Sequence, residues 1–156
     1  MTKELTGCGK GILSAVAEDW IAMAPAPTYQ TYIESRLALY RRAVDEIMAK
    51  QVLDTRHQAI YLWNLGLFFE MHELLETIWL KAQEPGRSAL KGWIQAAGVY
   101  IHFERGKVDA ARSLARRAEI YLRKGRSYLD FISNLDQLIE SLADLTDVAP
   151  QLLPVQ

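Results

Sequence analysis

The sequence predicts an all-α protein, a compact bundle of antiparallel helical hairpins with about six to seven helices. Three observations predict it. The five prolines stand only at 25, 27, 85, 150 and 154, which leaves long stretches free to be helical. Apolar residues recur with a period near that of a helix, and no run alternates with period two for long enough to argue for a sheet. Turn signals around Gly66, Pro85, Gly106 and Gly125 are closely spaced, so connections are short and neighbouring helices should run antiparallel.

The elements follow in order. A short helix is expected from about Ile12 to Met23, stopped by Pro25-Ala26-Pro27. Thr28 can cap the next, over roughly Tyr29 to Gln51, rich in Ala, Leu, Arg and Glu. Asp54 or Thr55 starts a third, which ends near Gly66 in a left-handed cap. A fourth covers about Leu67 to Ala82 and halts at Gln83-Glu84-Pro85-Gly86. Ser88 is the expected cap of a fifth, ending at Gly106; it is apolar almost all round and belongs in the middle of the bundle. Gly92 and Gly98 inside it read as points of close helix approach. Asp109 opens a sixth helix to about Lys124, and a seventh is expected over Ser127 to Leu145. The chain divides into an N-terminal helical extension (about 1–55), a core bundle (about 56–145) and a frayed tail (146–156), within a single domain.

Composition narrows the function. At 156 residues, 50% hydrophobic, 24% charged and net charge −1, this is a globular chain and not a disordered tail or a general polyanion binder. Cys8 is the only cysteine, so no intrachain disulfide forms and a reducing compartment fits. No apolar run approaches the roughly 20 residues needed to cross a bilayer. Glu18 and Asp19 interrupt Gly11–Ala24, as a signal-peptide core would not allow. A cytoplasmic protein without membrane contact is expected. The segment Gly7-Cys8-Gly9-Lys10-Gly11 lacks the spacing of a phosphate loop, and no serine stands in a nucleophile elbow.

The fourth helix carries the most chemistry. At about 100° per residue, Glu70, Glu73, Thr77 and Lys81 gather on the solvent face. His72 and Glu76 share a sector with Phe68, Phe69, Trp79 and Leu80, one turn apart, so their side chains can meet. Folding the chain back at Pro85 places Glu76 level with roughly Gln95, and His72 level with roughly Gly98 to His102. A cross-helix cluster of His72, Glu76, Gln95 and His102 is the expectation.

Three readings of it stand. The first is a buried hydrogen-bond network that fixes helix register. The second is a metal site: His72-Glu73-Leu74-Leu75-Glu76 is an H-E-x-x-E string, with His72, Glu76 and His102 as ligands of zinc, manganese or iron and Glu73 or Glu70 as general base. The third is a pocket for a small polar ligand, using Asn64, Glu70, Trp79 and Gln95, with Trp63, Trp93 and Tyr100 as walls.

The segment from Trp63 to Trp79, followed by Leu90–Gln95 and by His102 to Gly106, resembles the bacterial and archaeal family called domain of unknown function 309. The residues that carry the likeness are Asn64, Gly66, Phe68, Phe69, Glu70, His72, Glu73, Glu76, Trp79, Gly92, Ile94, Gln95, His102 and Gly106. The resemblance implies a small helical bundle, and members are often described as predicted metal-dependent hydrolases. Lys107 and Ala110 depart from the pattern, where Asn and Gly are usual.

Residues 105–126 hold eight basic and two acidic side chains, net +6 against −7 for the remainder. Arg105, Arg112, Arg116 and Arg123 fall near one face and could attract phosphate groups, with Arg112, Arg116 and Arg123 as the anion-binding candidates. The bland reading is a solvated face paired with acidic neighbours. A pI near 6.3 and the lack of a nucleic-acid module argue against nucleic acid as the partner. A homo-oligomer remains open.

Overall fold

The computed structural model describes residues 27–155. The expected helix at Ile12–Met23, Cys8 and its glycine-rich surroundings, and the side chain of Thr28 lie outside the described residues. Six α-helices follow: α1 (Pro27–Ala49), α2 (Thr55–Asn64), α3 (Phe68–Trp79), α4 (Gly86–Glu104), α5 (Val108–Lys124) and α6 (Leu135–Ala143), with a 3₁₀ turn at Arg126–Tyr128. Each helix packs against the next in sequence, so the all-helical bundle expected from the sequence is the fold observed. No helix among the described residues is long and apolar enough to cross a membrane.

Local sequence sets most boundaries. The Asp54 carboxylate accepts the Arg56 amide at 2.7 Å and caps α2. Gly66 (φ +70°) and Gly106 (φ +67°) supply the left-handed residues that end α2 and α4. The start of α4 differs from expectation. Ser88 is not its cap; the helix begins at Gly86, and the Glu84 carboxylate accepts both the Ser88 hydroxyl (2.9 Å) and the Ser88 amide (3.3 Å). That bonding to Ser88 and the nearby Lys124 ammonium hold the Glu84 carboxyl below the usual carboxylate range.

Helix α4 is central, with Leu90, Trp93, Ala96, Ala97 and Val99 buried. Helix α5 lies on it through Ala111, Ala115, Ala118 and Leu122, a stripe of helical period and mostly small side chains. The approach is closest at Gly92, where a β-carbon would come within 2.6 Å of the Leu122 backbone nitrogen. A β-carbon at Gly98 would meet the Leu114 side chain at the same distance, so both glycines serve packing as expected. Trp63, Phe68 and Tyr100 tie α2, α3 and α4 together, with ring centroids 5.1–5.4 Å apart.

Two expectations fail at the C-terminal end. The seventh helix does not run from Ser127 to Leu145: residues 129–134 form turns, and only Leu135–Ala143 is helical. The tail is not frayed either. After a left-handed Leu145 (φ +56°) the chain doubles back and buries Leu152 completely. Ile132 and Pro154 form an antiparallel bridge, and Ser133 N–H donates to the Leu153 carbonyl at 2.8 Å. The returning segment takes the Ser133 amide and the Phe131 carbonyl, which are thereby lost to a helix over 131–134.

Candidate functional site

The site rests on α3, whose buried face is Phe68, Met71, Leu74 and Leu75. That spacing turns His72, Glu73 and Glu76 toward the edge of the buried stripe. Their side chains are 30%, 44% and 44% exposed, so the group is half-open to solvent. The expected buried network is therefore corrected: water reaches these groups, which lowers their power to fix helix register.

His72 stands between the two carboxylates. Its Nδ1 lies 3.3 Å from Glu73 Oε1, and its Nε2 lies 3.9 Å from Glu76 Oε1. Neither approach is aligned as a hydrogen bond, and the shielded Nδ1 has no hydrogen-bond partner. One donor atom from each of the three residues lies within 4.8 Å of the other two, so the group could hold a metal ion. Ligands about 2.1 Å from a tetrahedral ion stand about 3.4 Å apart, so small rotamer changes would close the set.

His102 does not join this group. The reason is helix register. The Phe68–Tyr100 stack (5.2 Å) and the Arg87 guanidinium over the Trp79 ring (5.1 Å) place His72 level with Gln95 and Ala96. His102 therefore lies nearly two turns further along, at the end of α4, where its carbonyl accepts the Lys107 amide at 2.9 Å. Gln95 comes level with His72 instead of Glu76. Its Oε1, like His102 Nδ1 and Trp79 Nε1, is shielded and without a hydrogen-bond partner.

Two candidates are engaged elsewhere. Glu70 is not on a free solvent face: it pairs with Arg36 of α1, which also donates to the Gly66 carbonyl at 3.1 Å. Asn64 accepts the Leu152 amide at 2.8 Å and donates to the Leu152 carbonyl at 2.9 Å. Both belong to packing contacts outside the α3 cluster. Trp63, Trp93 and Tyr100 are core residues, and the Trp63 indole donates to the Pro150 carbonyl at 2.8 Å. Burial raises the Tyr100 phenol above its ordinary value.

Four of the eight basic residues between 105 and 126 pair with acidic neighbours. Arg112 pairs with Asp109 (3.1 Å) and Arg123 with Glu119 (2.9 Å), both on α5 itself. Lys124 reaches Glu84 at 3.2 Å, and Arg126 forks onto Asp136. Arg116 is exposed. Sequence reasoning missed a second cation site of this kind. Arg56, bonded to Asp54, lies over the Tyr128 (5.2 Å) and Phe131 (4.9 Å) rings and fastens α2 to the 3₁₀ turn. Its only local signal is the Asp-x-Arg spacing.

Fold and site together define a helical bundle with a His/Glu donor group on one exposed helix edge. Residues 57–114 of the chain match the family described as Domain of unknown function (DUF309), and the chain resembles that family over α2, α3, α4 and the first part of α5. The matched stretch contains His72, Glu73 and Glu76, whereas α1 and the returning tail lie outside it. No curated protein is matched, and no solved structure is matched.

Proposed function

We propose that the protein binds a divalent metal ion through His72, Glu73 and Glu76, and that this binding, not a structural network, is the role of the α3 cluster. One observation carries the reading: three donor atoms stand within 4.8 Å of one another on partly exposed side chains, and His72 Nδ1 has no hydrogen-bond partner among the described residues. Imidazole with two carboxylates suits zinc, manganese or iron. Three protein ligands would leave coordination positions to water or to a second ligand. Were the ion held by His72 and Glu76 alone, Glu73 would stand beside it as a candidate general base for metal-assisted hydrolysis.

The test is elemental analysis of untagged protein never exposed to chelator, beside His72→Ala. About one equivalent of metal in the wild type, lost in the variant, is the expected result. Wild type without metal, even after metal is added back, would refute the proposal.

A further inference from the structure

The returning tail is bound in the manner of a peptide ligand. From Pro150 to Val155 it lies extended in a cleft between the end of α2 and residues 131–134. The cleft holds its backbone almost continuously. Trp63 Nε1 donates to the Pro150 carbonyl at 2.8 Å, and Asn134 Nδ2 to the Gln151 carbonyl at 2.8 Å. Asn64 brackets Leu152 on both its amide and its carbonyl. Asn134 Oδ1 then accepts the Leu153 amide at 2.9 Å, and the Phe131 carbonyl accepts the Val155 amide at 2.8 Å. One side chain is read as well: Leu152 is fully buried, while Leu153 and Val155 are each 54% exposed. Backbone bonds plus one apolar anchor are the elements of extended-peptide recognition.

The connection to this peptide is strained. Asp144, Thr146, Asp147 and Val148 are exposed, and between them Leu145 takes φ +56°, a conformation that suits glycine and disfavours a leucine. The reversal at Leu145 is what lets the tail return to its own groove. Every contact in that groove would be reproduced if the tail came from another copy of the chain, and a straightened hinge would release the strain.

We propose that residues 146–155 form an exchangeable arm, and that the groove of Trp63, Asn64, Phe131 and Asn134 accepts the arm of a second copy. This proposal is independent of the α3 metal site. The full chain tests it: two isotopically distinct batches are denatured together, refolded at high concentration and examined by isotope-filtered NMR. The expected result is contact between the Asn64 side-chain amide of one batch and the Leu152 methyls of the other. Leu145→Gly, which removes the hinge strain and leaves the four groove residues in place, should lower the exchanged fraction about tenfold, whereas Leu145→Ala, which loses the same side-chain packing but keeps the strain, should not. Contacts confined to single chains in the wild type would overturn the proposal. So would exchange that Leu145→Gly leaves unchanged.

Discussion

Asn64 and His72 stand on adjacent helices of one hairpin, each a polar residue set among apolar ones, yet the fold uses them differently. The Asn64 amide is occupied on both its oxygen and its nitrogen by the backbone of Leu152. His72 has two carboxylates near it, and its Nδ1 has no hydrogen-bond partner among the described residues. A polar group satisfied by distant backbone is a structural part, and its loss strands partners in a buried place. A polar group left unsatisfied beside other donors, on a side chain that is partly exposed, is available to a ligand.

Substitutions can break or sharpen that contrast. The largest effect is expected at Asn64→Ala, which removes both bonds to Leu152 and should destabilise the protein by about 2–3 kcal/mol in urea unfolding. Trp63→Phe loses the bond to Pro150 and also part of a fully buried ring system, so about 2 kcal/mol is expected by the same method. Asp54 gives a pH-dependent case. Its bond to Arg56 holds the Asp54 carboxyl below the ordinary range in the folded state, so its stabilisation is present above about pH 4 and fades as pH falls through the folded pKa. Asp54→Asn should flatten that part of the stability–pH curve, as followed by denaturant midpoints across acidic pH. The smallest effects on stability are expected at His72→Ala and Glu76→Gln, each within about 0.5 kcal/mol. A loss of several kcal/mol at either would return the α3 cluster to a structural role.

The sequence makes α2 to α5 legible because their ends are written locally, in Asp54, Gly66, Pro85, Gly106 and Gly125. The region from Ser127 to Asn134 is not legible, because its departure from helix depends on backbone bonds to Leu153 and Val155, supplied by a segment further along the chain. The same distinction governs the site. His72, Glu73 and Glu76 come together within one helix, so spacing alone predicts their meeting. His102 required a guess at register across the turn, and the start of α4 at Gly86 set that register differently. Glu70 and Asn64 were read as pocket residues because Arg36 and Leu152, their partners, are remote in sequence and carry no local signal.

The proposed metal site on α3 and the Asn64 latch should respond differently to added metal. Calorimetric titration of zinc and manganese into wild type, Glu76→Gln and Asn64→Ala tests it most directly, under conditions where each is shown to be folded. The expected result is one binding event in the wild type, an affinity weakened at least about tenfold in Glu76→Gln, and an unchanged affinity in folded Asn64→Ala. No binding by the wild type, or equal affinity in Glu76→Gln, would contradict it.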